Sequence, residues 1–125
     1  MIYGIGVDLV ANQRMQHLIA RFGDKIAHKL LTADEYQLYT ARQDKAAFLG
    51  SRFAAKEAFA KALGTGFRHG LSLRHIETTV NTLGKPVLKL LGEAQRLVNE
   101  LGIVHYHVSL SHEKEHAVAI IVLEK

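Results

Sequence analysis

The sequence predicts an α+β fold in one domain spanning residues 1–125, and three observations predict it. A short apolar segment opens the chain, helical patterning fills its middle, and strand-like alternation closes it. The expected architecture is an antiparallel sheet packed with helices, one of them long and central.

Tyr3 to Leu9, within MIYGIGVDLV, reads as a strand of the buried apolar-run type. Asn12 stands where a cap would open an amphipathic helix running to Phe22, and Gly23 stops it. Thr32 and Glu35 have capping-box spacing and open a helix through about Arg42. Asp44 stands to cap the long central helix, which carries Phe48, Phe53, Glu57 and Lys61 and ends at Gly64-Thr65-Gly66. Leu73 to Asn81 and Val87 to Leu90 read as strands around a turn containing Gly84-Lys85-Pro86, where the only proline sits. Glu93 to Leu101 is a short helix closed by Gly102. From His105 to Ser111, the polar residues His105, His107, Ser109 and Ser111 alternate with Tyr106, Val108 and Leu110, giving one polar face and one core face. After a charged turn at residues 112–116, Ala117 to Leu123 returns as a hydrophobic strand. No linker, repeat or low-complexity tract interrupts this order.

Composition limits the function. The chain has 125 residues, 48% of them hydrophobic, which is enough for one real core. The absence of cysteine excludes disulfide scaffolds, thiol catalysis and zinc-thiolate sites. The N-terminal apolar run is too short to span a membrane and lacks the basic region and cleavage site of a signal peptide, so a cytoplasmic protein is expected. A formal charge of +4 favours an acidic partner: a nucleic acid, a phosphorylated small molecule or an acidic protein.

Two carboxylates stand in apolar surroundings. In FAAKEAFAKALGTG, residues 53–66, Glu57 and Lys61 lie one turn apart on a narrow stripe beside a broad surface of Ala55, Ala58, Phe59, Ala62 and Leu63. The plain reading is a surface i,i+4 pair worth about 0.2 to 0.5 kcal/mol. Asp8 interrupts the opening strand, where aspartate is depleted, and its plain reading is a cap or a strand end. Together the two acids suggest a hard divalent cation, since a Mg²⁺ site uses one or two carboxylates with waters and substrate phosphates.

Other polar features suggest phosphate. Arg52 and Lys56 occupy another side of the long helix, and the GTG and GKP turns allow close backbone approach beside a lysine. Taken on their own, the GTG turn reads better as a helix C-cap and the GKP turn as a hairpin turn. GIG lacks the third glycine of a dinucleotide fingerprint, and no P-loop sequence is present. His107 and His112 could meet phosphate or metal, although a polar sheet face accounts for the alternation around them.

Taken together, GIGVDLV at residues 4–10, GSRFAAKEAFAKALGTG at 50–66, GKP at 84–86 and HVSLSH at 107–112 resemble the holo-acyl-carrier-protein synthases, the small bacterial class of 4'-phosphopantetheinyl transferases. The resemblance spans essentially the whole chain. It implies transfer of the phosphopantetheine arm of coenzyme A to a serine of apo-acyl carrier protein, with release of adenosine 3',5'-bisphosphate, in the service of fatty acid biosynthesis. Carried onto this chain, Asp8 and Glu57 would hold Mg²⁺, with Mn²⁺ as an alternative, and Lys61 would neutralise charge on the phosphoryl oxygens. Glu57, or a water beside it, would take the serine proton. Arg52 and His107 would meet the 3'-phosphate, and Gly64, Gly66, Lys85 and Pro86 would line the nucleotide cleft. The resemblance also implies a homotrimer with active sites between subunits, and neither a nucleic-acid nor a membrane partner.

The first helix gains a role in the same way. Arg14 and Arg21 lie two turns apart, with Met15, Leu18 and Phe22 nearby, and by resemblance this helix would dock an acidic carrier protein. From the residues alone it is an ordinary amphipathic helix. Three other functions fit the chain: a nucleic-acid-binding domain, which would want its cations clustered; a noncatalytic coenzyme A or nucleotide module, which would not require both acids; and a metal-dependent phosphoanhydride hydrolase, which would use water in place of the serine.

Overall fold

The computed structural model describes residues 1–125. Its first strand, β1 (Ile2–Ala11), is followed by four helices, α1 (Asn12–Phe22), α2 (Asp24–Leu30), α3 (Ala33–Thr40) and the long α4 (Lys45–Leu63). A hairpin of β2 (Ile76–Val80) and β3 (Pro86–Leu90), the helix α5 (Gly92–Glu100), and a second hairpin of β4 (His105–His112) and β5 (His116–Glu124) complete the chain. The fold is α+β with two antiparallel sheets, one of order β1-β5-β4 and the other formed by β2 and β3.

The glycines of GIG position the site. A Cβ on Gly4 would overlap the carbonyl oxygen of Ala62, and one on Gly6 that of Ala58, so only glycine lets β1 lie flat on α4. Gly4, Gly6, Asp8 and Val10 face this helix by alternation. In α4, Phe48, Leu49, Ala54, Ala55, Ala58, Phe59, Ala62 and Leu63 are buried and share one core with Met15, Ile76, Ile121 and Leu123. Each large side chain buried there contributes about 1.5–3 kcal/mol.

Alternation also revises the reading of β1 as a strand buried on both faces. Ile5, Val7 and Leu9 are 59%, 52% and 64% exposed, because nothing in the chain covers the outer face of the three-stranded sheet. Val7 pairs with Ile120 and Ile120 with Ser109, so that face runs from apolar on β1 and β5 to polar on β4.

Several elements differ from expectation. Residues 24–30 form α2, directly after Gly23 at φ 61, where the sequence suggested no helix. Ala11 occupies the cap position of α1. Asn12 is buried, its Nδ2 donating to the Lys114 carbonyl at 3.1 Å and its N–H to the Glu115 carbonyl at 2.8 Å, which fastens α1 to the β4–β5 turn. Asp44 holds the cap position of α4, but its carboxylate accepts two bonds from the Arg42 guanidinium, at 2.8 and 2.9 Å, and leaves the helix N–H groups uncapped. Leu73–His75 turn as a 3-10 helix capped by the Ser72 hydroxyl, so β2 begins later, at Ile76. The Thr32–Glu35 capping box forms as expected, with both reciprocal bonds present.

Lys56 lies in the core, away from any phosphate-facing surface. Its ammonium donates to Glu35 at 2.7 Å, to the Leu73 carbonyl at 3.0 Å and to the Ile76 carbonyl. Burial lowers its pKa from the ordinary lysine value, and the Glu35 carboxylate pulls in the other direction.

Candidate active site

Because β1 lies on α4, Asp8 reaches the charged stripe of that helix. Lys61 Nζ donates to Asp8 Oδ1 at 2.9 Å and to the Val7 carbonyl at 3.0 Å, and Glu57 is left without a salt bridge. The i,i+4 pair suggested by the sequence is therefore replaced by a contact between strand and helix. Asp8 is 16% exposed at its side chain and Lys61 55%, so the acid is fixed and the ammonium opens to solvent.

The electrostatics of this seam centre on Glu57. Burial, and after it the charge of Asp8, raise its pKa above the ordinary glutamate value, while Lys61 and Arg14 pull it back. Two carboxylates on separate elements repel each other across the seam, and one lysine offsets them only in part. An all-oxygen pair of this kind is the chemistry of a hard divalent-cation site, and Asp8 and Glu57 could hold one.

A second group of residues surrounds Arg52. Its guanidinium stacks on Phe48 with Cζ 4.3 Å from the ring centroid, and its Nε is buried with no hydrogen-bond partner. Burial lowers its pKa from the ordinary arginine value and the Glu35 charge raises it, so an incoming anion would find a cation short of partners. A cavity of about 290 Å³ lies beside it, bordered by Arg42, Ser51, Gly84, Pro86 and His112. Arg42 and Ser51 border this cavity although the sequence did not single them out, because Arg42 sits at a helix end and joins the cavity only through tertiary folding.

Lys85, Pro86, His107 and Ser109 line an adjoining groove of about 520 Å³, and the two concavities share Pro86 and Leu110. Arg52 and His107 therefore do not converge directly within one chain. His107 stands on the outer sheet face with Nε2 at 2.6 Å from Glu124. Gly64 and Gly66 are not brought to this groove. Gly64, at φ 86, ends α4 with its N–H on the Ala60 and Lys61 carbonyls, about 18 Å along the helix axis from Arg52 at 1.5 Å per residue.

Along α1, Arg14, His17, Leu18, Arg21 and Phe22 line an open groove of about 460 Å³. Arg14 lies over Phe53 at 5.2 Å and Arg21 over Phe22 at the same distance. Met15 is fully buried and contributes to the core instead of this surface.

The model of a known family, described as the 4'-phosphopantetheinyl transferase superfamily, matches residues 4–121. The chain belongs to this superfamily. Among related 4'-phosphopantetheinyl transferases, the holo-[acyl-carrier-protein] synthase of Nitrosospira multiformis is 49% identical over 125 residues and all of both chains. The crystal structure of the holo-[acyl-carrier-protein] synthase from Neisseria meningitidis superposes with a TM-score of 0.95 at 39% identity, covering 100% of each chain. That of the Bacillus anthracis enzyme, in complex with CoA (3',5'-ADP), gives a TM-score of 0.82 at 35% identity and covers 98% of this chain and 96% of its own. No helix of this transferase is long and apolar enough to cross a membrane.

Proposed function

We propose that this chain transfers the 4'-phosphopantetheine arm of coenzyme A to a serine hydroxyl of apo-acyl carrier protein, the reaction of a holo-[acyl-carrier-protein] synthase. The product is holo carrier protein for fatty acid biosynthesis, and the leaving group is adenosine 3',5'-bisphosphate. The observation that carries this reading is the convergence of Asp8, Glu57 and Lys61 at the β1–α4 seam of a chain in this superfamily. A cytoplasmic location belongs to the same reading.

In the reaction the serine oxygen forms a bond to the phosphorus that carries the pantetheine arm, and the bond from that phosphorus to the adenosine bisphosphate oxygen breaks. Asp8 and Glu57 would hold Mg²⁺, or Mn²⁺, which when bound supplies positive charge for the pyrophosphate. Lys61, half exposed beside Asp8, meets the charge that grows on the phosphoryl oxygens, where positioned cations contribute most. Glu57, whose pKa burial raises above the ordinary glutamate value, or a water beside it, would take the serine proton.

The nucleotide end of coenzyme A would enter the Arg52 cavity, with Arg42, Arg52 and His112 as the groups to meet its 3'-phosphate, and Lys85, Pro86 and His107 line the adjoining groove. The uncovered apolar face of Ile5, Val7, Leu9 and Ile120 supports self-association through this sheet, and the homotrimer is what the family resemblance implies. Gly64 and Gly66 would reach a nucleotide cleft only as part of such a neighbour. The basic groove of α1, with Arg14, Arg21 and Phe22, would receive the acidic carrier protein.

Chromatography of reaction products tests this function. Release of adenosine 3',5'-bisphosphate only when apo carrier protein is present supports transfer. Release without carrier protein would make the chain a phosphoanhydride hydrolase, and coenzyme A binding without release a noncatalytic module.

A further inference from the structure

The network around Lys56 joins α4 to α3 and to the start of the β2–β3 hairpin. Lys56 precedes Glu57 in α4, is 1% exposed at its side chain, and bonds to Glu35 of α3 and to the carbonyls of Leu73 and Ile76. Glu35 accepts the Thr32 N–H at 3.1 Å and the Thr78 N–H of β2 at 2.9 Å, and the Thr32 hydroxyl donates to Glu77 at 2.6 Å. The network thus clamps β2 to α4. Two residues beyond Thr78, Val80 pairs with Pro86 at the start of β3.

This clamp sits behind the Arg52 cavity. Arg52 is one helical turn before Lys56, it feels the charge of Glu35, and it lines the cavity opposite Gly84 and Pro86 of the hairpin. A shift of the hairpin relative to α4 would change the width of that cavity. Apolar side chains of similar volume could fasten the same elements at equal or greater stability, since a buried ion pair contributes little net free energy. What charge and hydrogen bonds add is direction, because each donor here has one acceptor at a fixed place.

We propose that Lys56 and Glu35 are positioning residues that set the spacing between Arg52 and the Gly84-Pro86 turn, and with it the affinity for the nucleotide end of coenzyme A. The inference rests on the transferase reading of the site. Neither residue touches substrate; both act through Arg52 and the β2–β3 hairpin.

The test compares the wild-type chain with K56R and with the nearly isosteric neutral pair E35Q/K56M, which leaves no unpaired charge between the two positions. Circular dichroism checks folding, transfer assays give KM for each substrate, and calorimetry reads coenzyme A binding directly. The expected result is a folded variant with KM for coenzyme A raised roughly tenfold or more, since displacements of about 1 Å are that costly. KM for carrier protein should stay within about twofold of wild type, because α1 lies outside the network. A folded variant with wild-type coenzyme A affinity would overturn the proposal. So would equal losses toward both substrates, or unfolding of both variants, either of which would mark the network as a requirement of the fold alone. If the wild-type chain itself shows no transfer, the functional reading fails, and calorimetry on the same variants still decides the positioning role.

Discussion

Lys61 of α4 gives its ammonium to Asp8 of β1 at 2.9 Å and not to Glu57, one turn before it on its own helix. This places two acids and one cation at the seam between strand and helix, and it assigns different consequences to the loss of each.

Asp8→Ala or Glu57→Ala should abolish phosphopantetheine transfer while the protein stays folded. Calorimetric titration with Mg²⁺ or Mn²⁺ should show lost cation binding in both. Retained turnover in a folded Glu57→Ala variant would remove the cation assignment.

Lys61→Ala should lower kcat by orders of magnitude more than it weakens coenzyme A binding, because its charge matters most where negative charge develops. Single-turnover rates beside calorimetric affinities separate the two effects. A change confined to affinity would make Lys61 a ground-state contact.

Arg21→Glu should raise KM for carrier protein several-fold, to on the order of tenfold, and leave coenzyme A affinity alone, as reversal of an exposed docking charge does. Arg14→Glu is expected to disturb both, because the Arg14 charge also acts on Glu57. Steady-state kinetics varying each substrate in turn checks this pair.

Val7→Asp or Ile120→Asp should produce a folded monomer. Both residues lie on the uncovered sheet face and pair across β1 and β5, so a charge there opposes burial by other copies. Light scattering after size exclusion reads the state. An unchanged oligomer would direct attention to another surface.

Glu57 also gives a pH dependence of defined sign. Its folded pKa is raised above the ordinary value, so the native state binds more protons than the unfolded chain between the two, and without cation its contribution to stability falls as pH rises through that window. Carboxylates held low, such as Asp44 beside Arg42, act in the opposite direction. The difference between wild type and Glu57→Gln isolates the effect. Melting temperature without cation should drop with rising pH more in the wild type than in Glu57→Gln, and Mg²⁺ should remove that difference.

The parts of this fold legible in the sequence are those with local causes. Thr32 and Glu35 are three residues apart and form their capping box; Asp8 and Glu57 stood out because aspartate and glutamate are misplaced among aliphatic and aromatic residues. Lys56 was misplaced because its partners, Glu35 and the Leu73 and Ile76 carbonyls, are 17 to 21 residues distant, and helical periodicity cannot show them. Helix α2 escaped notice because it has seven residues and begins at once after a glycine that reads as a stop. The outer face of β1 looked buried because Ile5, Val7 and Leu9 are apolar, and sequence alone does not distinguish a core within the chain from a surface that another chain covers.

The intact mass of apo-acyl carrier protein incubated with this chain, coenzyme A and Mg²⁺, with and without EDTA, reads phosphopantetheine transfer itself. The expected result is a gain of one phosphopantetheine group per carrier chain, in the presence of free cation only. No gain across several carrier proteins, with coenzyme A still bound by the chain, would contradict it.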